Sequence, residues 1–131
     1  MIKDTITILY VADQDKSKEF YKNVLKLEPI LDVPGMTEFQ ISQNHKLGLM
    51  PEDGIEKILQ EKTPSPKRGN GIPRCELYLL VDNPKRYFKR ALEQNAKLVS
   101  ELALRNWGDF VGYVSDPDGN VLAFAQKNNL K

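Results

Sequence analysis

Two stretches of this chain carry the same residue pattern at a fixed separation. Phe20-Tyr21 and Val24-Leu25 recur as Tyr87-Phe88 and Ala91-Leu92, and Lys18 and Lys22 recur as Lys85 and Lys89, each 67 residues on. An apolar segment precedes each run, and there Val11 matches Val81 at an offset near 70. Such a duplication constrains the fold more than any composition value. Each half must build the same supersecondary unit, and neither buries its apolar faces alone. The two halves are therefore expected to pack together or to swap between subunits. The length of 131 residues suits one domain, or two small halves sharing a core.

The repeated unit reads as strand, helix and then strands. Thr5 to Val11 is β-branched and apolar, as in a buried strand. Asp13 or Asp15 can cap the next segment, whose stripe is Phe20, Tyr21, Val24 and Leu25. A short strand near Ile30–Val33 is bracketed by Pro29 and Pro34-Gly35, and strands over 36–42 and 46–50 flank a polar turn at Gln43-Asn44-His45. Ile55 to Glu61 provides one or two helical turns. Residues 62–74, KTPSPKRGNGIPR, hold three prolines, two glycines and no apolar period, and read as a linker. The modules are then 1–61 and 75–131. In the second, Glu76 to Val81 is a strand, and Asn83 caps a helix opened by Pro84. Its buried stripe is Tyr87, Phe88, Ala91 and Leu92, and Asn95 takes the left-handed conformation that ends it. Strands over 97–103, 109–115 and 121–126 follow. DPDGN (116–120) joins the last two, with Gly119 at positive φ. The fold class is α+β, built from two βαβββ modules.

Composition narrows the function. Nineteen basic and eighteen acidic residues leave a net charge of +1, which gives no field for nucleic acid or an anionic membrane. The near-neutral balance also disfavours an acidic trap for a cationic drug. No apolar run is long enough to span a bilayer, and the start, Met1-Ile2-Lys3-Asp4, lacks a leader pattern. One cysteine excludes an internal disulfide framework and fits a reducing cytoplasm. Cys75 reads as a small packed residue, with no histidine nearby in sequence to activate it. The single histidine, His45, reads as an exposed loop residue and leaves little imidazole chemistry for metals or general bases.

Three motifs carry a resemblance. YVADQDKSKEFYKNVLKLEP (10–29), LLVDNPKRYFKRALEQNAKLV (79–99) and WGDFVGYVSDPDGNVLAFAQ (107–126) follow in order between positions 10 and 126. Together they resemble the vicinal oxygen chelate superfamily, which contains glyoxalase I, extradiol dioxygenases, fosfomycin-modifying enzymes and bleomycin-resistance proteins. Lys26 stands where the family often has glycine after the first helix, so that helix is expected to end differently. The resemblance implies two curved mixed sheets around a central glyoxalase-like cup, and a homodimer. In catalytic members one divalent metal sits in the cup, held from the first and last strands of each module. Those four positions fall on Ile6, Gly48, Glu76 and Ala123. Only Glu76 can ligate, so no metal and no cofactor are expected, and the metal-dependent activities do not transfer with the fold.

Strand alternation extends these positions into faces. Ile6 leads to Ile8 and Tyr10, Gly48 to Met50, Glu76 to Tyr78, and Ala123 to Ala125. Trp107, beside Arg105, enters the penultimate strand and reads either as an aromatic wall with an anion contact or as a core or interface residue. Glu76 reads as an orienting group or general base, or as a structural or solvent-facing carboxylate. The candidate ligand-binding residues are Ile8, Tyr10, Met50, Glu76, Tyr78, Arg105 and Trp107, with no catalytic residue assigned. The expected function is metal-independent binding of a small organic ligand, of the glyoxalase/bleomycin-resistance type. The alternatives are a lyase or isomerase with a rearranged site, and a partner protein that has lost its cavity.

Overall fold

Strand β1 (Thr5–Val11) alternates as its sequence predicts. Leu9 and Val11 are buried on one face, while Ile6, Ile8 and Tyr10 take the other. Helix α1 (Gln14–Leu25) starts at Asp13, whose carboxylate accepts from the Lys16 amide at 3.0 Å. It buries Phe20, Tyr21, Val24 and Leu25 against β3 and β4, and full burial of such side chains contributes about 1.5–3 kcal/mol each. The helix ends on Lys26 in the left-handed conformation, at φ 56°. The expectation of a different ending is thus corrected: lysine takes the glycine-like geometry at a cost of about 1–2 kcal/mol.

Strands β2 (Leu31–Val33), β3 (Met36–Ser42) and β4 (His45–Pro51) complete a four-stranded mixed sheet in the order β1-β4-β3-β2. Only β1 and β4 run parallel. Helix α2 (Glu52–Leu59) follows β4 directly and starts earlier than the sequence reading placed it. Gly54 in its first turn weakens the helical signal, whereas Glu52 and Asp53 suit the positive end of the helix. His45 is not an exposed loop residue. It opens β4 half-buried, with Nδ1 at 2.5 Å from the Thr5 hydroxyl and Nε2 at 2.8 Å from that of Thr7.

The computed structural model describes residues 1–128 and divides into two units, Met1–Asn70 and the chain from Gly71 onward. The segment read as a linker holds a short 3-10 helix, Pro66–Gly69. Its Lys67 pairs with Asp53 of α2 at 2.5 Å, and the Ser65 hydroxyl donates to Glu56.

The second unit repeats the first. Strand β5 (Glu76–Leu80), helix α3 (Pro84–Glu93) and strands β6 (Lys97–Leu104), β7 (Asp109–Ser115) and β8 (Val121–Lys127) form a sheet in the order β5-β8-β7-β6. Here β5 and β8 are the parallel pair. Asn83 caps α3 through the Arg86 amide, and Asn95 lies at φ 67°. Phe88 and Ala91 are buried beneath α3, but Leu92 is exposed and Tyr87 only half-buried, stacked on Phe124 under Arg90. The expected stripe is therefore narrower than its sequence implies. The DPDGN turn is fixed by Asp116, whose Oδ1 accepts from the amides of Asp118 and Asn120, both at 2.9 Å. Gly119 lies at φ 90°. A Cβ there would fall 2.8 Å from the Gly71 backbone, so the turn needs glycine twice over.

Candidate functional site

In each unit the sheet face opposite the helix carries the candidate residues. On the first sheet Ile8, Gly48 and Glu38 lie in one row across β1, β4 and β3, with Tyr10 opposite Met50 in a neighbouring row. A Cβ on Gly48 would fall 2.5 Å from Cδ1 of Ile8 and 3.3 Å from the sulfur of Met36. The side chains of β1 and β3 thus fold over the glycine. Glu38 and Met36 were not singled out by the sequence reading. Alternation along 36–42 places both on this face, but only the pairing of β3 with β4 reveals their neighbours.

The second sheet repeats this design with aromatic residues. Tyr78, Ala123 and Tyr113 form one row across β5, β8 and β7, and Ala125 and Val111 pair beside it. Val111, Ala123 and Ala125 are completely buried, with Tyr113 packed against them. The Tyr78 hydroxyl donates to Oδ2 of Asp109 at 2.6 Å. Tyr78 lies on β5 and Asp109 on β7, either side of β8, so the phenol reaches across the central strand. Alanines at 123 and 125 leave room for it.

Trp107 completes this network. Its indole nitrogen donates to the Tyr78 hydroxyl at 2.9 Å, while 55% of the residue stays exposed. It occupies the turn between β6 and β7 rather than the strand, and its exposure removes the core reading. The Gly108 amide donates to the Arg105 carbonyl at 3.0 Å and the Arg105 amide to the Asp109 carbonyl at 2.8 Å. With Gly108 at φ 98°, this is a three-residue hairpin loop that requires a left-handed residue. The Arg105 guanidinium turns back over the Tyr113 ring, 5.1 Å from its centre.

The electrostatics follow from burial. Burial raises the pKa of the Tyr78 phenol, and the carboxylate of Asp109 that accepts its proton raises it further. Tyr113 is raised by burial and then by the charge of Glu76. Asp109 is mostly buried, and Lys127 stands 3.9 Å from its Oδ1. Glu76 is exposed and makes no ion pair among the described residues, which places it with the solvent-facing alternative. Cys75 is half-buried and its thiol pKa is raised by desolvation, as suits a packed and unreactive residue.

Tyr78 and Trp107 are thus in direct contact, Arg105 shares the hairpin of Trp107, and Glu76 precedes Tyr78 on the same face. Ile8, Tyr10 and Met50 stand together on the other unit. The sequence reading missed Asp109 and Tyr113, although the alternation 109, 111, 113 on β7 contained the signal.

A model of the Glyoxalase/Bleomycin resistance protein/Dioxygenase superfamily matches residues 4–124. The chain belongs to this superfamily. An uncharacterized protein of Mycobacterium bovis is 27% identical over 121 residues, covering 90% of this chain and 79% of that protein. Among solved structures, a glyoxalase-related enzyme from Fulvimarina pelagi matches with a TM-score of 0.79 at 16% identity, over 97% of this chain and 89% of its own. A lactoylglutathione lyase from Agrobacterium tumefaciens matches with a TM-score of 0.68 at 21% identity, over 93% and 91%. These structural likenesses show the glyoxalase-like fold.

Membership raises the question of a divalent metal, and the residues can be tested against it. The metal positions inferred from the resemblance are related identically in both sheets. Gly48 lies two residues beyond Lys46, the partner of Ile6, and Ala123 two beyond Val121, the partner of Glu76. The first sheet offers no donor at these positions and the second offers only Glu76. Gly48 is overlain by Ile8 and Met36, and Ala123 is buried. Among the described residues no three His, Cys, Asp or Glu side chains gather closely enough to hold an ion. A divalent site needs about three protein ligands, so these residues do not fit one.

Proposed function

We propose that this member of the superfamily binds a small, largely apolar organic molecule without a metal ion. The observation that carries the reading is the donor set: Ile6, Gly48 and Ala123 stand where ligands are inferred, and apolar side chains close over Gly48. What remains is apolar surface with a few fixed polar groups, the composition that suits an organic ligand. In the first unit Ile8, Tyr10 and Met50 form such a surface. In the second unit Tyr78 and Trp107 form another, with Glu76 and Arg105 at its edges. The reading includes a homodimer, a cytoplasmic location and no nucleic-acid or membrane partner.

Elemental analysis of protein purified without chelator tests this directly. The expected content of nickel, zinc, iron and manganese is far below one ion per chain. A stoichiometric content would overturn the reading and favour a lyase, isomerase or dioxygenase with rearranged ligands. Thermal-shift screening of planar aromatic compounds tests binding, because ligand at 100 times its dissociation constant adds about 2.7 kcal/mol of stability. Light scattering tests the homodimer, which a monomer at micromolar concentration contradicts.

A further inference from the structure

Arg105 is held with unusual completeness for a residue at a hairpin end. Its Nε donates to the Val111 carbonyl at 3.2 Å, and its Nη2 to the carbonyls of Val111 at 2.9 Å and Glu101 at 2.7 Å and to the Ser100 hydroxyl at 3.1 Å. The register irregularities of β6 around Ser100 bring these acceptors together. The ring of Tyr113 supports the guanidinium from below.

Every one of these acceptors is neutral. Arg105 makes no ion pair with any carboxylate among the described residues, and its Nη1 donates to none of them. A half-buried guanidinium keeps its full charge, and neutral acceptors satisfy its geometry without cancelling that charge. The same turn carries Trp107, largely exposed, with its indole nitrogen donating to Tyr78. A fixed cation two residues from an exposed aromatic ring on the same hairpin is complementary to a molecule that carries an oxyanion on a planar apolar body.

We infer that Arg105 is the anchor for the carboxylate of an aromatic acid, and that the ligand of this protein is an aromatic oxyanion rather than a neutral aromatic. This rests on the proposed binding function and names its ligand class. The carboxylate takes the free Nη1 edge of the guanidinium, and the ring lies against Trp107.

Naphthoate and its neutral isostere naphthamide separate the two levels of the claim by isothermal titration calorimetry. The charged hydrogen bond is expected to make naphthoate bind about tenfold more tightly than naphthamide. That preference should shrink as salt rises, while naphthamide binding should not. Arg105→Met is expected to equalise the two ligands by weakening naphthoate alone. If the variant fails to fold, the salt series on the unmodified protein still tests the charge dependence, and equal affinities at low salt overturn the anchor. Equal affinities, or a preference that survives both high salt and Arg105→Met, overturn the anchor and leave the binding function standing. Absence of binding by both compounds at millimolar concentration overturns both.

Discussion

The hydrogen bond from Tyr78 to Asp109 is the polar centre of the second sheet, and Tyr78→Phe measures it. The substitution removes one oxygen and leaves the ring in place, so the apolar cover over Ala123 and Ala125 stays. Asp109 loses its short 2.6 Å donor and, among the described residues, keeps Lys127 at 3.9 Å, a mostly exposed partner that contributes about 0–1 kcal/mol. A hydrogen bond to a charged group contributes about 1.5–3 kcal/mol, and Asp109 is too buried to recover it fully from water. Trp107 is exposed enough for its indole N–H to turn to water at little cost. The expected loss is about 2 kcal/mol, or roughly 5–10 °C in Tm for a chain of this size. Urea unfolding followed by circular dichroism reads the loss. Fluorescence of Trp107, the sole tryptophan, reports its release from Tyr78. In a double-mutant cycle with Asp109→Ala the coupling should reach about 1–2 kcal/mol. A loss below about 0.5 kcal/mol, or strictly additive effects, would show that the contact is incidental to the packing of the face.

Other outcomes follow from neighbouring features. Gly119→Ala combines strain at φ 90° with a Cβ 2.8 Å from the Gly71 backbone, and should cost about 2–4 kcal/mol in urea unfolding. Gly71→Ala, with positive φ but open space, should cost clearly less. Gly112→Ala drives a Cβ to 2.8 Å from Cγ of Leu102 and 2.9 Å from the Phe88 ring, so a loss of about 1–3 kcal/mol is expected. Gly48→Ala meets the mobile end of Ile8 and should cost less than Gly112→Ala by the same assay. Tyr78 and Tyr113 have folded-state pKa values above the ordinary 10.0. Their contribution to stability is therefore complete below pH 10 and is lost as pH rises through the folded values. An absorbance titration should show Tyr78 and Tyr113 ionising late, and each of Tyr78→Phe and Tyr113→Phe should remove one such late step.

Local signals in the sequence carried the elements well. The Asp13 and Asn83 caps, the Pro84 start and the DPDGN turn each have a short-range cause, and each appears where its residues place it. Alternation sorted Ile8, Tyr10, Glu76 and Tyr78 onto faces for the same reason. The site network was less legible because it depends on register between strands. Nothing in the motif around Trp107 states that Asp109 stands across β8 from Tyr78. The arginine's partners also come from two strands, with Ser100 and Glu101 brought to it by irregularities in β6. His45 was misjudged because the threonines that hold it lie forty residues earlier, in β1. Lys26 shows the opposite case, a local preference overridden by the packing of the helix it ends.

The proposed ligand binding needs no metal. Calorimetric titration of naphthamide into protein dialysed against EDTA, and into the same protein supplied with zinc, nickel or manganese, tests it most directly. The same dissociation constant is expected in every case. Binding that disappears on chelation and returns with a divalent ion would contradict it.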